Sequence, residues 1–293
     1  MAALRSGDID FVLDPPVQEI DQLRGDKSLK VWEGNEIRVI FIGLDQGRDE
    51  LLNGGTKGRN PFKDRRVRQA MYQAIDIEAI RKQVMRGLST PTALVLPDPR
   101  GAGVDAALDR RLPFDPAAAK RLMAEAGFAS GFPLALECPN DRYVNDEKIC
   151  VAIAAMWSRI GIDTRVNAVP RAQFFPRVAQ LESSAYLYGW GGGSSEAIWI
   201  LKPILHTRGS GGAGDNNFGR FGNARLDQLI EAIEVEMDAA KRHALATEAM
   251  KIVQDEVMVL PLHRQVIPWV SKRGITVVHR PNNALTPMWI RMD

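Results

Sequence analysis

Apolar and polar positions alternate along the chain with two periods, one typical of strands and one typical of helices. A short helix and then a strand over residues 9–13 are predicted at the start, and Pro15 and Pro16 end that strand. In the segment 36–44, Ile37, Val39 and Phe41 recur at every second position, which is the period of a strand. The opening part of the chain therefore predicts strands joined by loops.

Helical spacing begins after residue 60. Val67 and Ala70 fall on one helical face, Asp64 is placed as an N-cap, and Gly87 is a natural stop. A second helix is predicted to begin at Asp115-Pro116, because a capping residue precedes a proline in the first turn. Further helices are predicted over 149–160, 226–233 and 245–253, and further strands over 133–138, 162–169, 185–190, 257–263, 266–270 and 275–278.

The middle of the chain alternates strand and helix, which predicts the α/β class. The 293 residues are 45% hydrophobic, enough to bury the core of one large domain or two smaller ones. Thirty-eight basic side chains nearly balance thirty-six acidic ones, for a net charge of +2. This balance does not indicate a nucleic acid or an anionic membrane as a partner.

Two further absences concern the cell membrane. The sequence has no run of eighteen apolar residues, so no membrane-spanning helix is expected. The first ten residues contain no apolar stretch of the kind found in signal peptides, so none is expected within the chain.

Cys138 and Cys150 are the only cysteines. Their spacing is not C-x-x-C and no histidine accompanies them at metal-ligand spacing, so no zinc site is predicted. Cys138 falls in a predicted strand and Cys150 in a predicted helix. We expect buried free thiols, with a disulfide as the alternative if these two elements pack together.

Enzyme motifs are weak. The segment 209–214 matches G-x-G-x-x-G, but no clear apolar strand precedes it and no helix begins at its end. The run from Gly191 to Gly193 lacks the lysine of a phosphate-binding loop, and Ser194 is not in a G-x-S-x-G motif. The four histidines are scattered. A glycine-loop enzyme acting on a nucleotide or an ester is thus the alternative reading, and neither a cofactor nor a metal is predicted.

One long segment carries a resemblance to a known family. Residues 60–80 read Asn-Pro-Phe-Lys-Asp-Arg-Arg-Val-Arg-Gln-Ala-Met-Tyr-Gln-Ala-Ile-Asp-Ile-Glu-Ala-Ile. This segment resembles the signature of the peptide-type solute-binding proteins of ABC importers, family 5. Similar landmarks follow in the expected order at 115–128, 154–162, 221–227 and 259–263, so the resemblance covers nearly the whole chain.

The resemblance implies a periplasmic-binding-protein-like α/β fold of two lobes that close on a ligand. Residues 6–10 resemble a motif found well inside family sequences, so the chain is expected to lack an N-terminal portion, leaving one lobe complete and the other partial. The expected division is 1–60 as a partial segment of lobe I, 61–257 as the α/β ligand-binding lobe, and 258–293 as the return to lobe I.

The implied function is capture of a peptide, a peptide-like compound or a small organic solute in the periplasm, and its delivery to a membrane permease. The chain is then a monomeric binding component and not an enzyme. A third hypothesis is that a chain with half of its cleft binds nothing.

Three segments are candidates for ligand contact. In the first, residues 188–196, Trp190 is either a ligand wall or a core filler, and Gly191, Gly192 and Ser194 line the turn that follows. The family's dipeptide and oligopeptide binders place an aspartate three residues after this tryptophan, where it pairs with the ligand's ammonium group. Here that position is Gly193, which weakens the case for an ordinary peptide; Glu196 is the nearest replacement carboxylate.

The other two candidate segments are shorter. Arg142 and Tyr143 together suit a carboxylate against a planar wall, and a solvated loop is the alternative. Asn217 and Phe218 lie in a loop that resembles a ligand-proximal segment of the family, with a plain turn-forming loop as the alternative.

Overall fold

A seven-stranded mixed sheet organises the protein, and the predicted α/β class is confirmed. The computed structural model describes residues 1–54, 57–191 and 194–292. The strands are β1 (Phe11–Leu13), β2 (Leu29–Leu44), β3 (Ser89–Pro91), β4 (Phe132–Pro139), β5 (Ile162–Val169), β6 (Ala185–Trp190), β7 (Leu260–Lys272), β8 (Ile275–Thr276) and β9 (Arg291–Met292).

The helices lie mainly between the strands. They are α1 (Ala2–Ser6), α2 (Ile20–Gly25), α3 (Arg65–Gln73), α4 (Ile77–Ala79), α5 (Pro116–Glu125), α6 (Asp146–Ser158), α7 (Arg171–Ala179), α8 (Ile198–Ile200), α9 (Ala224–Val235) and α10 (Ala239–Asp255). Wider turns at Ile80–Val84 and Leu201–Leu205 extend α4 and α8.

The strand order is β1-β7-β2-β6-β4-β5, and β3 also pairs with β7. β4 runs parallel to β5 and β6, whereas β2 runs antiparallel to β6 and β7. β8 and β9 form a separate two-stranded sheet. The carboxyl ends of β4 and β6 consequently lie at the same edge of the main sheet.

The alternation predicted for 36–44 decides which side chains enter which core. Ile40 and Ile42 enter a core that includes buried residues of α3, α5 and α6. Val39 and Phe41 enter a second core on the opposite face, with buried residues of α7, α9 and α10. Because successive strand residues point to opposite faces, a single strand supplies both cores.

Two smaller apolar clusters involve the N-terminal and C-terminal segments. Leu4, Ile20 and Leu23 pack with Val270 of β7, and Trp269 packs with Ile275 and Val277. β2 and β7 pair along nearly their whole lengths, with breaks in register between Asn35 and Val39 and between Ile40 and Phe41. This two-stranded ribbon links the small clusters to the two large cores.

Local sequence signals predict where several helices begin. The side chains of Asp64 and Asp115 accept hydrogen bonds from the backbone N–H groups of Arg66 and Ala118, so both predicted N-caps are confirmed. The single helix expected up to Gly87 is wrong, because α3 ends at Gln73. Asp76 starts a new helix there by accepting a hydrogen bond from the N–H of Ala79 at 2.9 Å.

The prediction of free thiols is wrong. Cys138 near the end of β4 and Cys150 in α6 form a disulfide, with their Cα atoms 6.8 Å apart. Both residues are fully buried in the first core, where α6 packs directly on β4. The two elements do pack together, which is the condition under which the disulfide was the alternative. In the three described ranges, no helix is long and apolar enough to cross a membrane.

Candidate ligand-binding site

A polar cavity of about 410 Å³ lies where the N-terminal segment meets β7 and the loop that follows β4. The β4 loop enters it at the carboxyl end of a parallel strand, which is where α/β sheets place their ligands. Its lining comes from residues distant in sequence: Asp14, Pro15, Pro16, Val17, Gln18, Glu36, Asp141, Arg142, Tyr143, Val144, Asn145, Arg171, Gln265, Pro268 and Asn283.

Arg142 is half-buried in this cavity, with its guanidinium 5.1 Å from the centre of the Tyr143 ring. Burial, and then the nearby charge of Arg38, lower the pKa of Arg142. Among the described residues, no carboxylate lies within 4.0 Å of the guanidinium of Arg142 or of Arg171. Two cationic side chains therefore line the cavity without an ion-pair partner in the described part of the chain.

Tyr143 joins two of the predicted segments. Its buried hydroxyl donates a hydrogen bond to the carbonyl of Gly189 at 3.2 Å and accepts one from the Gly189 N–H at 2.9 Å. A Cβ atom at Gly189 would lie only 2.6 Å from the Tyr143 ring, so the contact depends on the glycine. The loop after β4 is thereby fixed against the end of β6, beside Trp190.

A buried polar network forms another part of the cavity wall, and the sequence reading missed it. The carboxylate of Glu36 accepts hydrogen bonds from the Arg38 Nε–H at 2.9 Å and from Gln265 at 2.6 Å. Arg38 Nη2 also lies 2.9 Å from the other Glu36 oxygen, as an ion pair. Gln265 in turn accepts a hydrogen bond from the Val144 N–H at 3.1 Å. The only local signal in the sequence is the pair of opposite charges two positions apart in β2.

Trp190 is partly buried against the second core. Its ring stacks on Tyr188 with centroids 6.4 Å apart, and its Nε1–H donates to the Trp199 carbonyl at 2.7 Å. Gly191 is exposed, and a Cβ atom there would come within 2.5 Å of the Ile37 carbonyl oxygen. Gly192 and Gly193 lie outside the described residues.

Glu196 is already engaged. Its two carboxylate oxygens accept hydrogen bonds from the Arg242 guanidinium of α10 at 3.2 and 3.3 Å. Its backbone N–H donates to the Ser194 hydroxyl at 3.1 Å. A ligand ammonium group that used this carboxylate would compete with Arg242.

A second, larger cavity of about 760 Å³ adjoins this region. Ser195 lines it and donates a hydrogen bond from its hydroxyl to Asp98 at 2.9 Å. Glu36 lines both cavities, so its ion pair with Arg38 stands between them.

Asn217 and Phe218 are buried and line neither cavity. The Asn217 amide donates to the carbonyls of His206 at 3.0 Å and Phe221 at 2.8 Å. Phe218 packs edge-on against Tyr188, with centroids 5.6 Å apart. Both residues support the loop and the second core from within.

The glycine loop at 209–214 lies against a different cavity, of about 380 Å³. Glu231 and Glu234 of α9 line it together with the loop. The next helix, α9, begins only at Ala224. Lys202 also lines this cavity, but its ammonium group is ion-paired with Glu234 and is thus not free to bind a nucleotide phosphate. Across the described part of the chain, no group of three or more His, Cys, Asp or Glu side chains is placed to hold a metal ion.

Comparison with known proteins extends over the whole chain. The family model for bacterial extracellular solute-binding proteins, family 5 Middle, matches residues 1–212. Heme-binding protein A of Haemophilus influenzae is 28% identical over 90% of this chain and 46% of its own length. A dipeptide-binding protein of Pseudomonas aeruginosa is 26% identical over 92% of this chain and 48% of its own length. The chain thus spans about half the length of these curated relatives.

Solved structures agree on the fold. The periplasmic binding protein DppA from Helicobacter pylori, in complex with the peptide STSA, aligns with a TM-score of 0.84 and 18% identity over 99% of this chain and 54% of that chain. HbpA2 from Haemophilus parasuis aligns with a TM-score of 0.81 and 21% identity over 100% of this chain and 55% of that chain. The periplasmic-binding-protein fold expected from the sequence is confirmed.

Proposed function

The chain belongs to the bacterial extracellular solute-binding proteins of family 5, and from this membership we propose that it captures a carboxylate-bearing peptide-like or small organic solute for an ABC importer. The captured solute is then passed to the importer's membrane permease. The relatives support a binding role and not an enzymatic one, since they are named for binding heme or dipeptides.

One observation carries the choice of a carboxylate. Arg142 lines the polar cavity half-buried, without a carboxylate within ion-pair distance among the described residues. A planar guanidinium favours a carboxylate that it holds by two parallel hydrogen bonds. The nearest carboxylate to the expected ammonium anchor, Glu196, is paired with Arg242. The ligand's acidic end is therefore the better anchor.

The other site residues take supporting roles in this proposal. Tyr143 fixes the loop that carries Arg142, while Trp190, Gly191 and Ser194 form the adjacent edge. Gly192 and Gly193 continue that edge in sequence. Asn217 and Phe218 act through the packing beneath it.

The proposed setting is the periplasm. The Cys138–Cys150 disulfide supports it, because disulfides persist in oxidising compartments. We also propose the division into 1–60, 61–257 and 258–293, with the cavity between the first and last segments and the α/β lobe, and a monomeric working form.

Calorimetric titration of the full chain tests the proposal, with S-methylglutathione, the dipeptide Met-Leu, hemin and ATP as separate probes. We expect at least one of the first three to bind. Arg142→Ala should weaken that binding about 10- to 100-fold, the usual loss for a charged hydrogen bond. Arg121→Ala, an exposed arginine on α5, is the matched control and should change nothing.

Three results would contradict the proposal. Binding of ATP alone would favour the glycine-loop enzyme. Failure of all four probes would favour a chain that binds nothing by itself. Equal affinities of the Arg142→Ala variant and the control would place the anchor elsewhere.

A further inference from the structure

The loop that supplies Arg142 is enclosed by a covalent link. Cys138 precedes it near the end of β4, and Cys150 follows it in α6, twelve residues later. Five consecutive lining residues of the polar cavity, 141–145, lie between the two cysteines. We propose that the Cys138–Cys150 disulfide is a positioning element of the binding site, which holds this loop in its binding conformation. The inference rests on the proposed function.

The end of β4 has less support than its middle. Leu136 and Glu137 pair with both β5 and β6, whereas Cys138 and Pro139 pair only with β5. The last two residues of β4, next to the loop, are therefore hydrogen-bonded to a neighbouring strand on one side only. The disulfide adds a covalent restraint here by joining Cys138 to α6, while the Tyr143 bonds to Gly189 hold the loop further along.

The conformation of the loop is set by its turn before α6 and by backbone hydrogen bonds. Asn145 adopts a left-handed backbone conformation, with φ 55°, immediately before α6. The Asp146 carboxylate accepts hydrogen bonds from the backbone N–H groups of Arg142 at 2.9 Å and Tyr143 at 3.0 Å. Asparagine enters the left-handed region more readily than most residues, and the Asn145 side-chain amide also donates to the Val84 carbonyl at 2.8 Å.

Arg142 depends on this backbone for its position. Its backbone N–H is held by Asp146, while its guanidinium has no carboxylate partner among the described residues. The direction in which such a side chain points is set mainly by the backbone conformation of its own residue. Opening the disulfide should therefore cost ligand affinity through loop order and leave the direct contacts between ligand and side chains chemically intact.

The test compares the oxidised chain with the Cys138→Ala/Cys150→Ala variant and with the chain reduced by a phosphine. Native-state hydrogen exchange reports on the loop, and calorimetry and dissociation kinetics with S-methylglutathione report on the site. This probe has no free thiol to exchange with the disulfide. Ile153→Val, which trims the core face of α6 and keeps the disulfide, is the matched control.

We expect amides 140–149 to exchange about tenfold faster or more without the disulfide, and those of α9 and α10 to keep their rates. The dissociation constant should rise about five- to tenfold, mostly through faster dissociation. Ile153→Val should leave the exchange of the loop relative to the rest of the chain unchanged.

The two proposals fail in different ways. If S-methylglutathione, Met-Leu and hemin all fail to bind to the oxidised chain, the proposed function is lost, but loop exchange still decides whether the disulfide orders the site loop. Equal loop exchange with and without the disulfide would overturn the positioning role. Exchange that accelerates throughout the protein would also overturn it, because the disulfide would then stabilise the whole fold.

Discussion

At the scale of single residues, two buried tyrosines differ in whether their hydroxyl groups form hydrogen bonds. The Tyr143 hydroxyl is bonded to both backbone groups of Gly189, whereas the Tyr72 hydroxyl has no hydrogen-bond partner among the residues that the structure describes. Burial raises the pKa of both side chains, that of Tyr72 to about 12. Both phenols are thus neutral at physiological pH, and only their hydrogen bonds distinguish them.

Tyr143→Phe should destabilise the fold by about 1–3 kcal/mol, because the buried Gly189 N–H and carbonyl would lose their partner. Tyr72→Phe, the matched control, should be neutral within about 0.5 kcal/mol, since it removes a hydroxyl that makes no bond. Urea unfolding of both variants measures the difference. A similar loss in the two variants would mean that the Gly189 contact is not what stabilises the loop.

Sequence reasoning at this scale succeeded where partners are close along the chain. The pairing of Arg142 with Tyr143 is local, and the structure brings both to the polar cavity. The bond between Gln265 and Glu36 spans 229 positions, so no pattern in the sequence indicates it. The sequence suggests that the Glu196 carboxylate is free to bind a ligand, because nothing in it indicates that Arg242, 46 positions away, lies beside it.

At the scale of elements, two glycines fix how consecutive strands and helices meet. Gly131 before β4 and Gly161 before β5 both have positive φ values, of 70° and 89°. A Cβ atom at Gly131 would lie 1.7 Å from the carbonyl oxygen of Gly161. The two turns can approach this closely only because neither carries a side chain.

Gly131→Ala should therefore cost more than backbone strain alone. Gly87→Ala is the matched control, because Gly87 has a φ of 83° but no atom near its missing side chain. We expect about 1–2 kcal/mol for the control, the strain of a left-handed alanine. The Gly131 variant should lose roughly 2 kcal/mol more in urea unfolding, from steric overlap. Equal losses would show that the turns move apart freely.

The elements predicted best were those with short-range signals. The bounds of β5 and β6 agree with prediction, since Gly161 directly precedes β5 and Gly191 directly follows β6. The strands expected over 257–263 and 266–270 lie mostly in the single strand β7, which begins only at Leu260. Polar residues 264 and 265 suggested a break, but pairing with β2 and β3 carries the strand through them.

At the scale of the whole molecule, the local stability of a strand should depend on how extensively it is paired with its neighbours. β2 and β7 lie in the middle of the sheet, whereas β8 and β9 pair over only two residues each. Exchange of amide hydrogens should be slowest at 39–42 and at least roughly 100-fold faster at 275–276 and 291–292. Mass-spectrometric exchange of the native chain measures this. Equal protection would indicate that the small sheet unfolds only with the large one.

The long ribbon of β2 and β7 also has a mechanical consequence. Residues 36–38 lie in the break of register and form no residue pairs with β7, while both flanking stretches are paired. Bending at this point would break no residue pair between β2 and β7, although β3 pairs with Arg264 and Gln265 of β7 there. It would shift the ion pair between Glu36 and Arg38, and Glu36 borders both cavities. The ribbon would then behave as an elastic joint with a restoring force. A solute seated against that ion pair would change the stiffness of the joint as well as its angle.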